Sequence, residues 1–193
     1  MSYQVYTPQA YDKEKDRRFP VLYWLHGSGG SGRGIRPLAR RFGDAIAEGK
    51  IAPMLLVFPN GLPNGMWCDS KDGRTPVETL LIKELIPDVD AHFRTIGSRA
   101  GRMIEGFSMG GYGAARLGFK YPDLFKAVSI LGGGPMQREF KKTPRANPQA
   151  RQWLLQNVYG GDHQYFQGQS AWTLAQSHAA ALRGDIAIRQ IVG

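Results

Sequence analysis

The feature that most constrains this chain is a series of short, mostly apolar runs, each followed by glycine, proline or a turn and separated by longer amphipathic stretches. Pro20 to Leu25 (PVLYWL), Pro53 to Phe58 (PMLLVF), Arg102 to Phe107 (RMIEGF), Ala127 to Leu131 (AVSIL) and Ile186 to Val192 (IAIRQIV) are too short for helices and rich in strand formers. Near-continuous apolar character, rather than strict alternation, marks strands covered on both faces. Between them, Ile35 to Ala47 places Ile35, Leu38, Ala39, Phe42 and Ile46 at helical spacing. Val77 to Phe93 does the same, with a bend expected at Pro87. Met109 to Tyr121, Pro148 to Val158 and Ser170 to Leu182 complete the helix candidates. This alternation predicts an α/β fold: a mostly parallel sheet with helices on both faces and right-handed crossovers. In such sheets the chemistry gathers at the carboxyl ends of the strands, here His26, Pro59, Ser108 and Gly132.

At 193 residues the chain suffices for one domain over 1–193. No apolar run approaches the roughly 20 residues of a membrane span, so no membrane partner is expected. The N-terminus MSYQVYTPQA lacks a signal-peptide apolar core, which favours the cytoplasm. Cys68, the one cysteine, excludes an internal disulfide and a cysteine-built zinc site. No histidine pair has ligand spacing, so neither a metal nor an organic cofactor is expected. Twenty-five Lys+Arg against sixteen Asp+Glu give a net charge of +9, in the range where nucleic acid must be considered. The cations are dispersed, however, and no recognition helix or aromatic-and-basic strand accompanies them, so no nucleic-acid partner is expected. Only Arg138, Lys141, Lys142, Arg145 and Arg151 cluster, between a strand and a helix. That cluster reads either as a solvated face or as an attractor of acidic substrates.

Much of the glycine gathers in two turns. After the first apolar run, HGSGGSGRG (26–34) contains a G-x-G-x-x-G pattern between a strand and a helix. A dinucleotide site would also need an acid at the end of the next strand, to hold the ribose, and that strand ends in Phe58-Pro59-Asn60. The second turn, Gly106-Phe107-Ser108-Met109-Gly110-Gly111, fits G-x-S-x-G directly after a strand and at the start of a helix. In that setting a tight turn lifts the serine hydroxyl above the sheet, and side chains in place of the glycines would collide with the neighbouring strand and helix. The plainer alternative is a serine that caps the helix. One hypothesis accounts for both turns: an acyl-transfer serine needs two N–H donors aimed at the developing oxyanion. The Met109 N–H would supply one and Ser28, in the His-Gly-x-Gly-Gly loop, the other.

With these residues in place, the sequence resembles α/β-hydrolases of the esterase group that contains the esterase D and S-formylglutathione hydrolase type, feruloyl esterases and short-chain tributyrin esterases. The resemblance runs from about Tyr3 onward, through Val5-Tyr6-Thr7-Pro8, Pro20 to Gly27 and Trp67-Cys68-Asp69-Ser70. Glu78-Thr79, Glu84-Leu85-Ile86-Pro87, Phe93-Arg94-Thr95, Gly106 to Gly113 and Tyr121 to Phe125 continue it. It implies the α/β-hydrolase fold, with Ser108 as nucleophile and the HGSGG loop as an oxyanion donor. Gly27 and Trp67 would border the substrate pocket. The implied activity is that of a serine carboxylesterase acting on short-chain or aryl esters through an acyl-enzyme.

In this group an acid follows a late strand and the catalytic histidine comes later still. Ile186 to Val192 reads as that strand, so the expected fold lacks its last strand-helix units and the domain is incomplete. Among residues present, His26 belongs to the loop, His92 to a helix, and Asp185 to the opposite edge of the sheet. Asp162 with His178 is topologically possible as a substitute pair. The alternatives to an active esterase are a catalytically incomplete hydrolase-like scaffold, a dinucleotide-binding oxidoreductase and a basic nucleic-acid module.

Overall fold

The computed structural model describes residues 1–30, 32–134, 136, 138–140 and 147–192. Its sheet contains β1 (Tyr3–Tyr6), β2 (Val21–Leu25), β3 (Leu55–Pro59), β4 (Arg102–Phe107), β5 (Ala127–Leu131) and β6 (Ala187–Ile191), in the order β1-β3-β2-β4-β5-β6. β1 is antiparallel to β3, and the other pairings are parallel. The five apolar runs thus become β2 to β6, with ends displaced by no more than a residue or two. β1 is an addition, because YQVY is short, half-buried and lies at the sheet edge, where pairing depends on β3 rather than on its own pattern.

The helices are α1 (Gln9–Lys13), α2 (Ile35–Ala47), α3 (Val77–Thr79), α4 (Ile86–His92), α5 (Met109–Lys120), α6 (Pro148–Asn157), α7 (His163–Gln169), α8 (Ala171–Ser177) and α9 (Ala179–Leu182). The long helix expected over 77–93 forms, but a wide π turn over Leu80–Leu85 joins α3 to α4. Pro87 has no N–H to donate and its ring would strike the Lys83 carbonyl of a regular helix, so the turn ahead of it opens. The expected helix over 170–182 breaks at His178 into α8 and α9. α7 is unannounced in the sequence, since Phe166 is the one side chain of HQYFQGQ that is buried.

Helices cover both faces of the sheet, and β2 shows how. Val21, Tyr23 and Leu25 point into the larger core, which contains α5 and the α3–α4 segment, while Leu22 belongs to a smaller core under α2 and Trp24 packs against it. Such two-sided burial is the reason for the continuous apolar run. β6 differs: all five of its residues are exposed, and no described strand pairs with its far edge. Among the described residues, no helix is long and apolar enough to cross a membrane. Lys141, Lys142 and Arg145, three of the five cations in the expected basic cluster, lie outside the described residues.

Candidate active site

Ser108 stands between β4 and α5 with φ +55° and ψ −116°, a left-handed conformation that costs a non-glycine residue about 1–3 kcal/mol. It is held there by its own amide, which donates to the Leu131 carbonyl at 2.9 Å, and by its carbonyl, which accepts from Tyr112 at 3.0 Å. Its hydroxyl makes no capping hydrogen bond. The helix-cap alternative is therefore set aside: this serine is the last residue before a helix, yet its side chain is left free. Gly106 and Gly110 explain the sharpness of the turn. A Cβ on Gly106 would lie 2.3 Å from the Gly110 backbone, and one on Gly110 would lie 1.9 Å from the Leu25 carbonyl oxygen. Met109 follows as the first residue of α5; its side chain is buried, and its N–H has no intrahelical acceptor.

The glycine loop after β2 meets this turn. A Cβ on Gly27 would stand 3.4 Å from the Ser108 Cβ and 3.2 Å from the Phe107 carbonyl oxygen, so loop and turn are in near contact. The Gly29 N–H donates to the Pro63 carbonyl at 2.8 Å and the Gly30 N–H to that of Gly27 at 3.1 Å; the exposed Ser28 amide stays outside both bonds. His26 is the loop's internal tie. Its Nε2 accepts from the Gly61 N–H at 3.1 Å, so the proton sits on Nδ1, which donates to the Gly27 carbonyl at 2.8 Å. With both ring nitrogens committed to backbone, His26 fixes the loop and offers Ser108 no base.

Trp67 corrects one expectation. It does not border the cavity beside Ser108: it is fully buried beneath the loop, with its indole N–H donating to the His26 carbonyl at 3.1 Å and its ring edge-on to His26 at 4.9 Å. The cavity, about 520 Å³, is lined instead by Gly27, Ser28, Ser108, Trp24, Phe58 and Phe107, among others, and reaches across β2 to the start of β1. Strain concentrates here. Leu62, Met66, Trp67 and Ser108 are the non-glycine residues with left-handed φ among those described. Three of them lie in the segment that underpins the loop, and the fourth is the half-buried serine.

Behind Trp67 lies a network the sequence does not announce. Arg116 of α5 is fully buried, with its guanidinium donating to the Trp67 carbonyl at 2.7 Å, bonded to Gln169, and paired with Glu78 at 2.6 Å. Glu78 also holds Lys120 and the Tyr121 hydroxyl, each at 2.6 Å. Burial alone would raise the Glu78 carboxyl, but Arg116 and these hydrogen bonds outweigh it and hold it below its ordinary range. Burial pushes the Cys68 thiol up to about 11 against the pull of Arg116, so Cys68 is a core residue. The only prior signal was the Glu78-Thr79 dipeptide within the resemblance.

The remaining candidates are occupied or remote. Asp162 caps α7 and binds Lys71 at 2.5 Å, with that hydrogen bond and the Tyr165 and Gln164 amides holding its carboxyl down at about 2. No bond joins it to His178, which caps α9, so the substitute pair is not assembled. His92 lies against Asp88 on the surface of α4. Asp185 is exposed ahead of β6, ion-paired with Lys126 and close to Arg99, at the edge opposite Ser108. Among the described residues no group of three or more His, Cys, Asp or Glu could hold a metal ion.

The family model described as "Putative esterase" matches residues 1–185. The chain belongs to this family. It is 35% identical over 151 residues to an endo-1,4-beta-xylanase/feruloyl esterase of Xylanibacter ruminicola, a match covering 74% of this chain and 21% of that protein. It is 34% identical over 140 residues to esterase Rv1288 of Mycobacterium tuberculosis, covering 70% of this chain and 30% of that one. The chain therefore spans between about a fifth and a third of the length of these curated relatives. Among solved structures, an S-formylglutathione hydrolase from Agrobacterium tumefaciens superposes with TM-score 0.73 at 18% identity, over 98% of this chain and 80% of that one. A ferulic acid esterase superposes with TM-score 0.67 at 22% identity, over 99% and 83%. The fold of this chain is accordingly that of the α/β-hydrolases.

Proposed function

We propose that this esterase chain hydrolyses carboxylic esters through an acyl-enzyme on Ser108. The observation that carries the reading is the free Ser108 hydroxyl, held in a left-handed turn at the start of α5 and opposed by the Gly27–Ser28 loop. Ser108 Oγ attacks the ester carbonyl carbon while its proton passes to a histidine base. The carbonyl electron pair collects on oxygen, which the Met109 and Ser28 N–H groups stabilise. Collapse expels the alcohol, which takes the proton from the histidine, and water then releases the acid by the same route. The carbonyl end of β6 accepts from Gly132 at 2.8 Å, one residue past the Leu131 carbonyl that binds Ser108, so chain leaving β6 emerges at the serine's edge.

The substrate class we assign is short-chain or aryl esters. A cavity of about 520 Å³ with aromatic walls has room for an aryl group, and the Xylanibacter relative is named a feruloyl esterase. A catalytically silent scaffold is the second reading, favoured by the lack, among the described residues, of a histidine hydrogen-bonded to Ser108. Fluorophosphonate labelling with p-nitrophenyl acetate turnover tests both: the esterase reading expects both signals and their loss in Ser108→Ala. Labelling of Ser108→Ala at the wild-type rate would refute the nucleophile.

A further inference from the structure

The oxyanion loop and the nucleophile helix belong to different strands, yet the proposed chemistry requires their N–H groups to converge on one oxygen. Two polar links join them from behind. The first is the Trp67 indole N–H on the His26 carbonyl, at 3.1 Å; His26 in turn ties Gly27. The second is the Arg116 guanidinium on the Trp67 carbonyl, at 2.7 Å, from two turns along the helix that Ser108 caps. Glu78 and Gln169 fix the remaining faces of that guanidinium. Between the links, Met66 and Trp67 have φ +50° and +53°, a pair of left-handed residues without glycine's freedom. Such a conformation persists only where its surroundings over-determine it. Nor can Trp67 shift sideways, since its ring abuts Gly61 and its Cβ abuts Gly113, each closely enough to exclude a methyl group.

We propose that Arg116 is a positioning residue for catalysis: it clamps the Trp67 carbonyl so that the Trp67 indole sets the oxyanion loop against Ser108. The inference rests on the esterase reading above. A planar, forked donor is required, because one group must bond Trp67, Gln169 and Glu78 in different directions; a lysine keeps the charge opposite Glu78 but not the fork. Trp67→Phe removes the indole N–H together with part of the ring, while the Arg116–Glu78 pair keeps both its partners.

The test is steady-state hydrolysis of p-nitrophenyl acetate by wild type, Arg116→Lys, Trp67→Phe and the double variant. Melting curves and fluorophosphonate labelling rates accompany each. Misplacing an oxyanion donor by a fraction of an ångström to 1 Å should lower kcat and the labelling rate by about 10- to 100-fold, with KM little changed. Because both residues act through one link, the double variant should be no slower than the slower single one. Unchanged kcat in a folded Trp67→Phe overturns the proposal, as do losses that multiply in the double variant. A rise in KM at constant kcat overturns it as well, since that assigns the pair to substrate binding. Should Arg116→Lys fail to fold, Trp67→Phe alone decides by the same kcat criterion. Failure of the esterase reading is separately visible: wild type would then neither turn over nor label, and the positioning role would fall with it.

Discussion

Gly110→Ala tests whether the contact of α5 with β2 is as tight as the geometry requires. A methyl group at this position would lie 1.9 Å from the Leu25 carbonyl oxygen, 2.5 Å from its carbon and 2.8 Å from the His26 carbonyl oxygen. Carbon and oxygen approach to roughly 3.3 Å at closest without strain, so helix and strand must separate by more than 1 Å. All three obstacles are backbone, and no rotamer change relieves them. Overpacking costs about 1–3 kcal/mol, and a rigid obstacle puts this case at the upper end. The better helix propensity of alanine returns about 1 kcal/mol. A net loss of about 2 kcal/mol in a domain of this size lowers Tm by about 4–8 °C. Calorimetry on Gly110→Ala measures this, with Gly168→Ala as control. Gly168 is in α7 with nothing within 4 Å of an added methyl, so that variant should melt slightly above wild type. A Gly110→Ala midpoint at or above wild type would refute the close-approach argument.

Gly27→Ala separates function from fold. The added methyl meets Phe107 and Ser108 at 3.2–3.4 Å, so Tm should barely change while the displaced loop lowers kcat by about 10-fold. Glu78 has its carboxyl lowered in the folded state, so its contribution to stability is fully present above the unfolded value near 4.5 and is lost as pH falls through the lower folded value. Glu78→Gln should therefore destabilise the protein at neutral pH and flatten the dependence of Tm on pH below about 4.5. Cys68, with its thiol pushed up to about 11 and no exposure, should react with a disulfide reagent at pH 8 only after denaturation; rapid modification of the native chain would contradict its burial.

Features that depend on neighbouring residues in sequence were legible. Continuous apolar runs bounded by turn residues read as strands, and β2 to β6 follow, although β6 is exposed along its whole length. Gly-x-Ser-x-Gly after one of them leaves the chain little choice but a cramped turn, which is where Ser108 stands with φ +55°. The glycines of HGSGG likewise signalled a close approach, and Gly27 makes one to Ser108. What escaped the sequence depends on residues distant along the chain. β1 exists because β3 offers it an edge. As a bare residue Trp67 reads as a packing aromatic and the resemblance makes it pocket wall; only the position of His26 makes it the buried support of the loop. Arg116 and Glu78 stand on separate helices, far apart in the sequence. Tertiary packing brings them together at 2.6 Å, away from water, where an unpaired charge would be too costly to keep. Local pattern thus determined the sheet and the serine's turn, whereas the framework that aligns loop with helix was decided by contacts between residues some 40 to 50 positions apart.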